Sequence, residues 1–287
     1  MPELPEVETI RRGIEPKIVG KTITKLEVIN QGSAQFAPSD YQFITGHRVV
    51  AVHRRAKVLI IDLSSKYSLL IHLKMTGQVI LVESGGERFG GGHPTKSMIE
   101  GLPDNSTRII FELQGDTKLY FNDQRKFGWI KLMPTELINQ DSLLMRVGPE
   151  PWSDELSVDY LWSKVRGRKA PIKAIILDQS TIAGIGNIYA DEALHYAKIH
   201  AKRLGKNVRK KELPLLIEGI RSVMDKSLEH GGTSFSDYVN HLGFFGDYLR
   251  HARVFNRTGE PCRVCNSPIL KIRVAGRGTH YCPNCQR

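Results

Sequence analysis

A chain of 287 residues, 40% hydrophobic and 25% charged, has the composition of a globular protein and the length for two domains with cores of their own. Its 41 lysines and arginines outnumber 30 acidic residues, and the resulting +11 serves either solubility alone or a polyanionic partner, nucleic acid before membrane. No apolar run reaches the ~18 residues of a membrane span and the first residues carry no signal-peptide core, so the expectation is a cytoplasmic protein with no membrane association.

The chain opens MPELPEVETIRR, and Leu4, Val7, Ile10, Ile14 and Ile18 then recur three or four apart, which predicts an amphipathic helix over residues 3–19. Pro2, Glu3 and Glu6 have two readings at its start. Proline and acids suit the first turn of any helix. Alternatively, removal of Met1 makes Pro2 a chain-terminal secondary amine, and an α-amine has a pKa roughly two units or more below that of lysine. Such an amine can attack carbon and form an iminium ion.

Short Val/Ile/aromatic runs follow: TITKLEVIN, HRVVAVHRRAKVLIIDL, YSLLIHLKM, QVILVES, TRIIFEL, KLYFND and GWIKLM. They predict an antiparallel sandwich or barrel. The glycine-rich stretch 83–106, ESGGERFGGGHPTKSMIEGLPDNS, reads as an exposed loop. Lys57 enters an apolar strand, where a lysine costs desolvation unless it meets a partner such as a phosphate. HLKMTG and NDQRKFG each end at a glycine and read as loops that present Met75, Arg125 and Phe127. Met and Phe are wedge residues that unstack a base step, with core packing as the rival reading.

From Pro134 the character changes. Residues 135–156 read as a linker, and helical segments follow at 157–166, 170–179, 187–197 and 212–229. Within DQSTIAGIGNIYADEALHYAKI a helix ends near Gln179, a glycine-bearing turn follows, and Asn187 is placed to cap a new helix whose start would hold a phosphate. An ordinary αα-hairpin is the alternative. VRGRKAPIKA sets Arg166, Arg168, Lys169 and Lys173 beside it, where phosphates would be neutralised. All four cysteines lie in the last 26 residues, as CRVC and CPNC. Cys262, Cys265, Cys282 and Cys285 have the spacing of a tetrathiolate zinc site; four thiolates close the shell, so the ion would be structural. Arg277 stands in the turn between the two knuckles. The resulting division is 1–134, a linker 135–156, a helical domain 157–253 and a zinc finger 254–287.

MPELPEVETIRRG, HLKMTG, NDQRKFG, VGPEP, AGIGNIYADEAL, GGT and GEPCRVC…YCPNCQ together span nearly the whole chain. In this combination the sequence closely resembles bacterial formamidopyrimidine-DNA glycosylase, a DNA-repair family in the same superfamily as endonuclease VIII. The resemblance implies an α+β fold of two domains. An N-terminal helix lies on an antiparallel β-sandwich, and a helix–two-turn–helix domain carries a β-hairpin zinc finger with one structural Zn2+. It implies a monomeric base-excision-repair enzyme acting on double-stranded DNA that contains an oxidised purine or an abasic site. The enzyme would excise 8-oxoguanine and formamidopyrimidines and nick the strand by β,δ-elimination. DNA would lie in the interdomain groove with the lesion flipped out, because the glycosidic carbon is not reachable inside the stack.

By motif match, Pro2 attacks C1′ and forms the Schiff base, Glu3 moves protons at the sugar, and Glu6 supports that end of the site. Lys57 holds a phosphate next to the lesion and assists β-elimination, and Arg277 does likewise for δ-elimination. Met75, Arg125 and Phe127 fill the vacated space, with Arg125 reading the opposite cytosine. His72, Arg168, Lys173 and Asn187 bind backbone phosphates or the edge of the site. TSFSDYVNHLGFFGDYL, residues 233–249, covers the flipped base. The rivals are an endonuclease VIII-like enzyme for oxidised pyrimidines, a non-catalytic lesion binder, and a zinc-ribbon transcription or recombination accessory for which Pro2 and its acids would be accidental. MPELPEVE with the Met75, Arg125 and Phe127 set argues against the first, and a retained Met1 would produce the second.

Overall fold

A computed structural model describes residues 2–93, 101–233 and 246–287. The apolar stripe at the start of the chain becomes helix α1, Leu4–Ile18, with Leu4, Val7, Ile10, Ile14 and Ile18 buried. Its polar side is also tied down. Glu8 accepts hydrogen bonds from Arg11 and Arg12 one turn on, and from Arg54 Nε at 3.0 Å, which fastens the helix to the sheet beneath.

Among the described residues ten strands follow: β1 (Ile23–Val28), β2 (Ala34–Gln35), β3 (Val49–Arg55), β4 (Val58–Leu63), β5 (Tyr67–His72), β6 (Gly77–Val82), β7 (Arg88–Gly92), β8 (Thr107–Leu113), β9 (Thr117–Asp123) and β10 (Trp129–Pro134). They form two five-stranded sheets, ordered β1-β8-β9-β6-β7 and β2-β10-β5-β4-β3. All pairings are antiparallel except the short β2–β10 pair, which is parallel. Period-2 alternation assigns the faces. Leu59 and Ile61 of β4, Leu69 and Ile71 of β5, Val79 and Leu81 of β6, and Phe111 and Phe121 enter one core with α1. Val58, Ile60 and Leu70 point the other way, onto Ile138 and Leu144, which explains why β4 reads as a continuous apolar run.

The glycine-rich stretch is not simply a loop. Residues 88–92 form β7, paired with β6 along Val82↔Arg88 to Gln78↔Gly92, and α1 packs against it. The glycines that hid this strand from pattern reading are what it needs. A Cβ on Gly91 would lie 2.3 Å from Ile10 Cγ1, and one on Gly13 of the helix 1.8 Å from Phe89 Cζ. Helix and strand approach too closely for side chains at these points. Gly13→Ala is therefore expected to lower stability by about 1–3 kcal/mol in urea unfolding, despite alanine's better helix propensity. In a Phe89→Ala background the same change should become neutral or stabilising.

The chain divides into two compact units between Met145 and Arg146. The segment 135–156 is therefore shared: Thr135–Gln140 forms a 3-10 turn in the first unit, while Trp152 packs against the core of the second. That second core is built by α2 (Val158–Val165), α3 (Ile172–Leu177), α4 (Asn187–Tyr196), α5 (Leu213–Glu229) and the short α6 (Tyr248–His251), with Val274 from the C-terminal hairpin. The hairpin pairs β11 (Leu270–Val274) with β12 (Arg277–Tyr281). Its loop is Ala275 and Gly276, at φ 49° and 75°, the left-handed pair of a type I′ turn. Among the described residues no helix is long and apolar enough to cross a membrane.

Candidate active site and DNA-contacting surface

The first unit positions two groups of the residues singled out above. Pro2 is buried and directly precedes Glu3, the N-cap of α1. Glu6 Oε2 accepts the Glu3 backbone N–H at 2.8 Å, so the first helical turn fastens the backbone at Glu3 and Glu6 acts as its anchor. Glu3 and Glu6 are both buried. Lys57 is also buried, in the two-residue turn that joins β3 to β4. Ala56 before it adopts φ 52°.

Val58, the residue after Lys57, pairs across the sheet with His72. His72 Nδ1 accepts the Lys74 backbone N–H at 3.0 Å, so in the neutral ring the proton sits on Nε2. Burial, then the charges of Lys74 and Lys57, hold this imidazole down to a pKa of about 3. His72 is thus a neutral donor. Because its folded pKa lies below the ordinary 6.5, the unfolded chain takes up the extra proton, and stability falls as pH drops from 6.5 towards 3. His72→Gln should unfold in parallel with wild type above pH 7 and lose less stability on acidification through that window, measured as urea midpoints against pH.

The loops after β5 and β9 lie side by side. Met75 is 42% exposed and Phe127 56%, which rules out core packing for both. The Arg125 guanidinium stacks over the Phe127 ring, 4.8 Å from its centroid. The residue that organises this surface is one that motif reading passed over. Asp123, fully buried, accepts the Thr76 hydroxyl from the neighbouring loop, the Arg125 N–H at 3.2 Å and the Gly128 N–H at 2.6 Å. Thr76 Oγ1 in turn accepts from Arg125 N at 3.2 Å. An aspartate two residues ahead of a presented side chain is an Asx-turn signal, and it was available in NDQRKFG. Gly128 is obligatory there, since a Cβ would meet Phe121 at 2.8 Å and Asp123 Oδ2 at 3.1 Å.

In the second unit, Arg168 is exposed and follows Gly167 at φ 74°. The turn between α3 and α4 is braced by Gln179, whose side chain accepts Gly184 N–H at 2.9 Å and donates to Ile185 C=O at 2.8 Å. The VGPEP segment docks on it: Gly148 N–H donates to Gln179 C=O, and a Cβ on Gly148 would stand 2.7 Å from Thr181 O. Two expectations need correction. Gly186, not Asn187, caps α4, and Asn187 is the first helical residue, its amide donating to Gly278 C=O at 3.0 Å. Lys173 does not face solvent. It is fully buried, with Nζ 2.5 Å from Asp191 Oδ1, 2.8 Å from Thr279 Oγ1 and 3.4 Å from Gly278 O. A basic residue in a basic stretch is ordinarily solvated; here the apolar spacing of α3 turns it inward to an acid on α4.

These contacts gather Lys173, Asn187 and the start of β12 in one place, and Arg277 stands exposed beside Gly278 at the hairpin turn. The knuckles that support this hairpin suit a metal ion. The four Cys Sγ atoms lie within 4.8 Å of one another, with Cys262–Cys285 at 3.9 Å and Cys265–Cys282 at 3.4 Å. Backbone N–H groups of Val264 and Cys285 point at Cys262 and Cys282 sulfurs, as thiolates require. Sulfurs ~2.3 Å from a tetrahedral zinc stand about 3.8 Å apart. The donor set fits one structural Zn2+. Of the segment 233–249, residues 234–245 lie outside the described residues.

Comparison with known proteins agrees along the full length. Residues 1–130 match the formamidopyrimidine-DNA glycosylase N-terminal domain, 147–239 the H2TH domain of the same enzymes, and 259–287 the zinc finger found in FPG and IleRS. A formamidopyrimidine-DNA glycosylase of Carboxydothermus hydrogenoformans is 39% identical, covering 100% of both chains. Among solved structures, a Lactococcus lactis Fpg mutant in complex with Fapy-dG-containing DNA superimposes with a TM-score of 0.88 at 32% identity, covering 100% of both chains. The Lactococcus lactis Fpg bound to abasic-site DNA gives 0.87 at 32% identity over 99% of each.

Proposed function

Since the chain belongs to the formamidopyrimidine-DNA glycosylase family, we propose that it is a bifunctional glycosylase and abasic-site lyase that removes oxidised purines from duplex DNA and nicks the strand. The observation that carries the reading is the start of the chain: Pro2 is buried against a helix whose N-cap is the acid Glu3 and whose third residue, Glu6, fixes that acid's backbone. After loss of Met1, the Pro2 nitrogen attacks C1′ of a flipped nucleotide. The N–C1′ bond forms, the bond to the base breaks, and the base leaves with its electron pair and takes up the proton that the Pro2 nitrogen gives up on attack. Glu3 protonates the sugar ring oxygen, and ring opening leaves an iminium ion.

The iminium acidifies C2′–H. Loss of that proton expels the 3′ phosphate, and a second elimination expels the 5′ phosphate. Lys57 and the neutral His72 serve a phosphate beside the reacting sugar, and Arg277 serves the second leaving phosphate. Met75, Arg125 and Phe127 occupy the space left in the stack, where an exposed thioether and ring lose water on insertion. Arg168 and Asn187 hold the backbone. Lys173 has no part in DNA contact; it supports the hairpin that carries Arg277. The zinc ion, held by the four cysteines, would supply folding energy and no chemistry. Acting on duplex DNA, the enzyme would work with the nucleoid in the cytoplasm.

Borohydride trapping tests the reading. With 8-oxoguanine opposite cytosine, a covalent complex whose mass maps to Pro2 is expected. Normal duplex binding with neither adduct nor nick would assign the chain to a lesion binder.

A further inference from the structure

One cluster of ligating side chains belongs neither to the site above nor to the zinc knuckles. His230 caps the C-terminal end of α5, Asp247 precedes α6 and His251 closes it. Their backbones are fixed relative to one another. Asp247 N–H donates to His230 C=O at 3.1 Å and Tyr248 N–H to Gly232 C=O at 3.3 Å, while the Tyr248 ring is buried in the core. The side chains are half-buried and reachable from solvent.

Asp247 uses both oxygens on the two imidazoles. His230 Nδ1 lies 2.7 Å from Oδ1 and His251 Nε2 3.6 Å from Oδ2. The rings stack with centroids 3.8 Å apart and planes 28° from parallel. One histidine would satisfy the carboxylate. A second, stacked on the first with its nitrogen turned to the same group, converges three donors of the kind that bind transition ions. All three ligating atoms lie within 4.8 Å of one another. Cis ligands ~2.0–2.1 Å from an ion stand roughly 2.9–3.3 Å apart, a range that the observed 2.7 and 3.6 Å bracket; binding also splays the stacked rings, because an imidazole lone pair lies in its ring plane.

We propose that His230, Asp247 and His251 form a second metal site, separate from the four-cysteine centre, for a divalent first-row transition ion such as Zn2+, Ni2+ or Cu2+. Two imidazoles and one carboxylate exclude Mg2+ and Ca2+, which prefer all-oxygen shells. Three protein ligands leave the remaining positions to water. The bound ion cross-links the end of α5 to α6 and stabilises the fold in proportion to its occupancy.

The test is calorimetric titration of the zinc-loaded protein with Ni2+, with zinc content checked before and after. One Ni2+ per chain should bind without zinc release, raise the thermal midpoint, and bind at least tenfold more weakly in His230→Gln and in His251→Gln. Asp247→Asn, which keeps the shape and most hydrogen bonds of the carboxylate, should also weaken Ni2+, and circular dichroism establishes that each variant folds. Equal affinity in wild type and the His230→Gln/His251→Gln pair, or no Ni2+ bound by wild type, would overturn the proposal and leave the cluster as a hydrogen-bonded clasp.

Discussion

Glu3→Gln should lower base excision on the order of 10²–10⁴-fold while leaving duplex affinity and thermal stability close to wild type. The separation is possible because Glu3 takes part through two different atoms. Its backbone N–H is what Glu6 holds at 2.8 Å, and glutamine leaves that bond untouched. Its side chain is an acid of the same size as glutamine, buried next to Pro2, so the substitution removes proton transfer and little else. Single-turnover excision alongside a thermal melt measures both halves. Glu6→Ala makes the complementary case: removing the cap should cost about 0.5–2 kcal/mol. Wild-type excision by Glu3→Gln would take Glu3 out of the chemistry.

The second large effect is on stability. Asp191→Ala strands the Lys173 ammonium in a fully buried position, which should cost about 3–5 kcal/mol in urea unfolding. The same aspartate accepts the His280 backbone N–H at 2.8 Å through its other oxygen, so the hairpin also loses its anchor and zinc should pass faster to a chromophoric chelator. A Lys173→Met/Asp191→Leu pair removes both charges and should recover most of the loss. If Lys173 instead worked as a phosphate ligand, freeing it would strengthen binding to undamaged duplex.

Much of this was legible in the chain before folding. Periodicity placed α1, the glycine-bearing turn before Asn187 placed α4, and cysteine spacing located the zinc knuckles, because each signal depends on local geometry alone. The probe residues Met75, Arg125 and Phe127 were legible as loop tips because glycine follows each group. What escaped depends on distant partners. β7 escapes pattern reading because Gly91 answers to Ile10 and Phe89 to Gly13, on a helix more than seventy residues away in sequence, while Gly90 and Gly92 answer to β6, and the run carries no alternation of its own. Lys173 was misplaced because nothing near it reveals Asp191 and Thr279. Asp123 differs: its bonds to Arg125 and Gly128 are a local turn signal within NDQRKFG, and only its bond to Thr76 depends on another loop.

The C-terminal hairpin looks like a module that could be exchanged among proteins, yet its neighbours make it hard to detach. Val274 is buried in the helical core, Glu192 of α4 receives the backbone N–H groups of Arg253, Val254 and Phe255, and the Lys173–Asp191 pair is sealed by Thr279 and His280. A chain cut before residue 254 would uncover a lysine, an aspartate and a glutamate where the hairpin had been, a surface that neither water nor a substitute ribbon would fit without repacking α4. Gain or loss of such a finger in evolution would then require coordinated change on the helix that receives it, and circular permutants opened between residues 253 and 262 should be among the least tolerated.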